Sequence, residues 1–176
     1  VVPRQLGSWF CRRGFARVIE LNWWEQVHVH DLRITFTPAQ HGSGLTPLTF
    51  NTTLWGGYLL EGGERRVYHA GDTAWFDGFR KIATRIPSID VALLPIGGYH
   101  PEWLAQHAHL TPEQAGQACL DLNARRLVPM HWGTFQFSGE ALRAPPARLR
   151  RWWGEQADVD SARLAILAIG ESLRLD

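Results

Sequence analysis

The sequence predicts an α+β fold in which helices lie on a sheet, and three observations carry that prediction. Asp90-Val-Ala-Leu-Leu-Pro-Ile96 is apolar on both faces, as a central buried strand requires. Thr111-Pro112-Glu113-Gln114 is a helix start with a physical cause: Thr111 can cap, Pro112 fits the first turn, and Gln114 can reach back as capping-box partner. Helical and strand-like runs alternate through the second half, as layers of helix on sheet demand.

Taken in order, Val18-Ile-Glu-Leu21 reads as a strand, and the Val27–Thr37 stretch alternates in hairpin fashion. Pro38 stops it, and His41-Gly-Ser-Gly44 reads as a loop. Thr53–Glu61 is a strand, Glu61-Gly-Gly-Glu64 a hairpin turn, and Arg66–Ala70 the partner strand. Phe76, Phe79, Ile82, Ala83 and Ile86 recur at helical spacing, which predicts a short amphipathic helix ending before Pro87. In the helix after Thr111, the residues Ala115, Ala118, Cys119 and Leu122 form the buried face. Arg126–His131 is the next strand, and Pro145-Pro146 opens a basic helix through about Glu155. Arg163–Ile169 and Ser172–Leu175 are expected to close the chain as strands around a Gly170 turn.

The 176 residues make one domain or a large part of one, and 45% hydrophobic content supports a substantial core. A formal net charge of +1 gives no global field for nucleic acid. The run Arg148-Leu-Arg-Arg151 and the pair Arg12-Arg13 read as solvated faces rather than phosphate grips. No stretch approaches the roughly 20 apolar residues of a membrane span. The expectation is a cytoplasmic protein, with peripheral membrane contact left open. Cys11 and Cys119 make no disulfide framework and have no CxxC partner. Nine tryptophans fit core and rim packing, or an apolar surface that meets lipid at headgroup level.

Three metal-type residues stand at the ends of strand-like runs. They are His41 after Phe36-Thr-Pro-Ala-Gln, Asp72 in Val67-Tyr-His-Ala-Gly-Asp72-Thr73, and His131 in Leu127-Val-Pro-Met-His131-Trp-Gly-Thr134. A strand end mounts a ligand rigidly. Two imidazoles and a carboxylate suit zinc or a similar borderline metal. His28 and His30 lie in alternating sequence, where period two puts both on one, wet sheet face; they read as surface residues.

Those motifs and their flanks resemble the metallo-β-lactamase superfamily, and within it the branch of N-acyl-phosphatidylethanolamine-hydrolysing phospholipase D. The resemblance rests on Glu20-Leu-Asn-Trp-Trp-Glu25, Thr37-Pro-Ala-Gln-His41, Thr53-Leu-Trp-Gly-Gly57, His69-Ala-Gly-Asp72-Thr73, Pro95-Ile-Gly-Gly-Tyr99, His109-Leu-Thr-Pro-Glu-Gln-Ala115, Pro129-Met-His131-Trp-Gly-Thr-Phe135 and Gly170-Glu-Ser-Leu173. It implies part of an αββα sandwich, mainly the second half, with the metal site along one edge between the sheets. It also implies that His41 serves one metal, His131 the other, and that Asp72 bridges them. His109 matches a histidine near the metals and the substrate phosphate, where it orients or contacts substrate. The cofactor implied is two zinc ions, with other divalent metals open, and the substrate is a small molecule or a lipid.

The departures are specific. The superfamily's His-x-His-x-Asp-His motif does not occur in these 176 residues, which begin Val-Val-Pro. The expectation is therefore that residues 1–176 form an N-terminally incomplete domain, inactive as an isolated fragment. Gly42 and Leu45 replace the Trp and Arg of the family's His-Trp-Ser-Gly-Arg, and His100 stands where an acidic residue is expected. The reaction implied is phosphodiester hydrolysis by a metal-activated water. A lactonase or other ester hydrolase of the same fold, and a remnant without a functional metal site, are the alternatives. His69 and His107 are read as structural or exposed. The sequence leaves oligomeric state open.

Overall fold

The computed structural model describes residues 1–44, 46–86, 88–168 and 170–175. The readings that touch Leu45, Pro87 and Ile169 therefore lie outside the described residues in part. Six strands form one sheet in sequence order: β3 (Gln26–Val29), β4 (Leu32–Thr37), β5 (Gly57–Gly62), β6 (Arg65–His69), β7 (Ile89–Pro95) and β8 (Ala124–Met130). They follow β1 (Val2–Pro3) and β2 (Glu20–Leu21), a separate two-residue parallel pair flanking α1 (Gly7–Cys11). From β3 to β6 the strands run antiparallel; tight turns join β3 to β4 and β5 to β6, and the long connection after Thr37 joins β4 to β5. The chain then crosses through α2 (Gly78–Arg85) to a parallel β7, and through α3 (Glu102–Ala105) and α4 (Pro112–Asp121) to a parallel β8. α5 (Ala144–Gly154) follows and packs on α4.

Strand alternation decides the core. Leu59, Tyr68, Ala92, Leu94 and Leu127 share the face that receives the helices. Against them pack Phe79, Ile82 and Ile86 of the α2 region, Ala115, Ala118 and Cys119 of α4, Leu122 just after it, and Leu149 and Trp153 of α5. Each fully buried Leu or Ile here contributes roughly 1.5–3 kcal/mol by leaving water. Burial pushes the Cys119 thiol up to about 12, so it behaves as a small apolar side chain. On the other face, register aligns Val27, Ile34, Leu60, Val67 and Val91 in one row across five strands. All but Val91 of that row are only half-buried, since little chain covers this side. The result is α+β, with helices covering one face of a single large sheet.

The capping box forms as the sequence predicts: Gln114 N–H donates to Thr111 Oγ1 at 3.2 Å, and Thr111 N–H donates to Gln114 Oε1 at 3.0 Å. Three expectations need correction. Arg163–Ile169 and Ser172–Leu175 are not strands among the described residues. Leu164 makes one bridge to Leu127, Ala165 N–H reaches Leu127 O at 2.9 Å, and the Glu171 carboxylate then accepts from Ala168 N–H at 2.7 Å and turns the chain away. Thr53–Gly56 do not join β5, because Leu54 N–H donates to Arg4 O and the Trp55 indole to Ala39 O. Arg148 is not a solvated cation. Its guanidinium donates to both Glu113 oxygens at 2.8 Å and to Glu102 at 3.0 Å, and its Cζ lies 4.6 Å from the Tyr99 ring centroid.

Candidate metal centre

Two antiparallel reversals make β6 parallel to β4, and the two helical crossovers keep β7 and β8 parallel to β6. The chain therefore leaves β4, β6, β7 and β8 at the same end of the sheet. The next few residues carry His41, Asp72, Gly97-Gly98 and His131.

Short bonds tie those exits together. Gln40 N–H donates to Thr73 Oγ1 at 3.0 Å, and Ala74 N–H to Gln40 O at 2.7 Å, so the residues flanking His41 and Asp72 are fastened to each other. Thr73 is fully buried and its hydroxyl donates to Ala74 O. Ile96 N–H donates to Met130 O at 3.0 Å, joining the ends of β7 and β8. His131 adopts a φ of +61°, a left-handed conformation uncommon outside glycine that turns the chain directly after β8.

The four side chains singled out from sequence come together in pairwise links. The His41 and His109 rings lie 5.7 Å apart between centroids at 89°, and His109 and His131 lie 5.5 Å apart at 30°. His131 Nε2 stands 3.5 Å from Asp72 Oδ1. His109 thus sits between the two other imidazoles. Its Nδ1 is buried with no hydrogen-bond partner among the described residues. Burial, then His131 and His41, hold the His109 imidazole below its ordinary pKa, although Asp72 and Glu140 pull the other way. His41 Nδ1 faces Gly42 O at 2.8 Å, which orients that ring.

Two imidazoles, a carboxylate and an unpartnered third imidazole match the donor chemistry of zinc and its neighbours. Among the described residues, no three His, Cys, Asp or Glu side chains enclose a point where an ion would sit. What the structure gives is the pairwise approach of these donor types at one end of the sheet.

His28 and His30 are exposed and lie on strand β3 and in the turn after it, so neither joins the cluster. His30 is not on the sheet face as alternation suggests, because it has a φ of +52°. His69 is exposed, with Nδ1 accepting from Gly71 N–H, and His107 is exposed as well. Two features of the site were not read from the sequence. Glu140 accepts from Gly98 N–H at 2.6 Å and His100 N–H at 3.2 Å, clamping the loop that backs His109. Gly98 has a φ of +80°, and a Cβ there would meet His109 Nδ1 at 3.1 Å. Paired glycines in Pro95-Ile-Gly-Gly-Tyr99 were the available signal for Gly98, whereas nothing local marks Glu140.

The segments next to the cluster residues in sequence, two loops and the short helix α3, expose large apolar side chains. Leu48 and Phe50 follow His41, Trp103 and Leu104 precede His109, and Phe135 and Phe137 follow His131, with Leu48 and Phe137 each 91% exposed. Among the described residues no helix is long and apolar enough to cross a membrane.

The sequence profile described as the Beta-lactamase superfamily domain matches residues 2–132. The mitochondrial N-acyl-phosphatidylethanolamine-hydrolyzing phospholipase D of Saccharomyces cerevisiae is 37% identical over 163 residues, covering 88% of this chain and 35% of that protein. A UPF0173 metal-dependent hydrolase of Nitratidesulfovibrio vulgaris is 37% identical over 151 residues, covering 85% of this chain and 54% of that one. The chain thus spans between about a third and a half of these relatives' length. Igni18, a metallo hydrolase from the archaeon Ignicoccus hospitalis, superimposes with a TM-score of 0.70 at 27% identity, over 98% of this chain and 66% of that one.

Proposed function

The chain belongs to the Beta-lactamase superfamily, and from that membership we propose that it works as a metal-dependent hydrolase using a metal-activated water, acting on a phosphodiester such as that of an N-acyl phospholipid. The observation that carries this reading is the gathering of His41, Asp72, His109 and His131 at one end of the sheet. His41 and His131 would each hold an ion, zinc by donor chemistry, and Asp72 would bridge the pair. Bound dications supply hydroxide near neutral pH and positive charge beside the attacked phosphoryl group. Asp72 brings two oxygens and a full negative charge to a place where two cations would repel. His109, held neutral by burial, would contact the phosphate or the leaving group through a nitrogen that has no other partner among the described residues. The apolar side chains on the two neighbouring loops and on α3 suit an acyl substrate and contact with a membrane surface.

The test is to load the protein carrying this chain with zinc, measure metal content by mass spectrometry, and compare turnover of an N-acyl phospholipid, bis(p-nitrophenyl) phosphate and a simple lactone. His41→Ala and His131→Ala should lower both zinc content and turnover. His109→Gln should keep the zinc and lose about a hundredfold in turnover, the size of a positioned proton donor's effect. Zinc content untouched by His41→Ala and His131→Ala would remove the metal reading. Faster turnover of the lactone would replace the phosphodiester by an ester.

A further inference from the structure

The parallel strands β6, β7 and β8 have a second end, and it is basic. Arg65 opens β6, and Arg125 and Arg126 lie at the start of β8; with Arg174 and Leu175 of the C-terminal tail they line a cavity of about 130 Å³, whose floor includes Asp90 and Val91 of β7. A strand rises about 3.3 Å per residue, so this cavity lies roughly 20 Å from the histidine cluster at the other end of the same strands.

Among the described residues the charge there is unbalanced. Asp90 is the one carboxylate among the described residues of the lining, and both its oxygens are engaged: Oδ2 accepts from Arg66 N–H at 2.8 Å, and Oδ1 pairs with Arg125 at 3.4 Å. Elsewhere the half-buried arginines have acceptors. Arg66 pairs with Glu61, Arg148 with Glu113, and Arg163 donates to Ala124 O. Arg65 and Arg126 are also half-buried, yet neither they nor the exposed Arg174 has an acceptor among the described residues. Register places Arg65 and Arg126 on the same sheet face as Val67 and Val91. Guanidinium groups converging on one concavity repel one another unless an anion sits between them, and their planar forks match a tetrahedral oxyanion. The volume accommodates one such group, since a water takes about 30 Å³ of liquid.

We infer that this cavity is a binding site for a phosphate group, separate from the histidine cluster, with Arg65, Arg126 and Arg174 as its donors. Two sources share that chemistry, a free phosphate compound and a lipid phosphate monoester, and the experiment separates them.

Protein treated with chelator to empty metal positions is titrated with inorganic phosphate and pyrophosphate by calorimetry, at ionic strength held constant with chloride. It is also cosedimented with phosphatidylcholine vesicles with and without phosphatidic acid. The expected result is saturable one-to-one binding that weakens about tenfold in Arg65→Gln and in Arg126→Gln, the loss of one charge-assisted contact, and is unchanged in His41→Ala. Binding of the soluble anions assigns the source to free phosphate; binding of the phosphatidic acid vesicles alone assigns it to lipid. Arg174→Gln changes an exposed residue and keeps the test valid if either half-buried variant unfolds, as circular dichroism would reveal. Failure of both probes to bind, affinity that the arginine substitutions leave intact, or binding lost in His41→Ala instead would overturn the proposal.

Discussion

Replacing Arg148 by alanine tests how the helical layer is held against the loop that backs the site. Three charge-assisted hydrogen bonds would go, two to Glu113 at 2.8 Å and one to Glu102 at 3.0 Å, together with the packing on Tyr99. A hydrogen bond to a charged group is worth about 1.5–3 kcal/mol when desolvated. Here Arg148 and Glu113 keep 29% side-chain exposure each and Glu102 keeps 53%, so water and salt weaken all three. The expected net cost is about 2 kcal/mol at pH 7, which for a domain of this size lowers Tm by roughly 4–8 °C. The pH dependence gives the sharper check. Burial pushes the Glu113 carboxyl up, but hydrogen bonds from Arg148 and from its own backbone N–H outweigh it and leave the folded pKa below the ordinary 4.5. A depressed carboxylate stabilises above its unfolded pKa, and that contribution fades as pH falls through the folded value. The gap between wild type and Arg148→Ala should therefore narrow between pH 7 and pH 3 in urea denaturation. A variant within about 0.5 kcal/mol of wild type at pH 7, the range of a neutral surface substitution, or a gap of equal size at both pH values, would refute the reasoning.

Four further outcomes are expected. Thr111→Ala should cost about 1 kcal/mol by removing the cap from α4, readable as a shifted urea midpoint with unchanged slope. A thiol reagent should label Cys11 at once and Cys119 only with global unfolding, since Cys119 is fully buried and its thiol is held at about 12; two equally fast thiols would contradict the packing. Gly98→Ala places a Cβ 3.1 Å from His109 Nδ1 at a φ of +80°. Backbone strain alone is about 1–2 kcal/mol there, so stability and zinc uptake should both drop, and an unaltered variant would show that the glycine is incidental. The double substitution His28→Gln with His30→Gln should leave zinc content unchanged; loss of one equivalent would make those exposed residues ligands.

Much of the architecture was legible because it is set by local periodicity. The apolar run around Asp90–Ile96 became a buried strand, and Thr111–Gln114 closed its capping box, since each needs only neighbours within a few residues. What escaped was everything set by distant partners. Leu164–Ala168 has the apolar character of a strand, but a strand needs an edge to pair with, and this segment touches β8 only around Leu127 before turning away. Glu140 reaches the Gly98 backbone across 42 residues, and Arg148 reaches Glu113 across 35, so a basic run in the middle of α5 resembled a wet face.

The gathering of the site residues was legible in part for a reason that lies in strand direction. His41 and Asp72 each follow a strand by a few residues, and β5 intervenes between β4 and β6 as a single antiparallel return. One return restores direction, so both residues emerge at the same end. α2 and α4 then carry the chain back along the sheet before β7 and β8, which brings Gly98 and His131 out beside them. A count of strands and crossovers, available from the periodicity alone, therefore fixes which end each residue occupies. It does not fix how far the chain must curl to bring an imidazole inward. That depends on the Gln40–Thr73 and Ile96–Met130 bonds and on the left-handed turn at His131, none of which has a periodic signature. The same count places Arg65 and Arg126 at the opposite end, so one parity rule separates the histidine cluster from the arginine cavity.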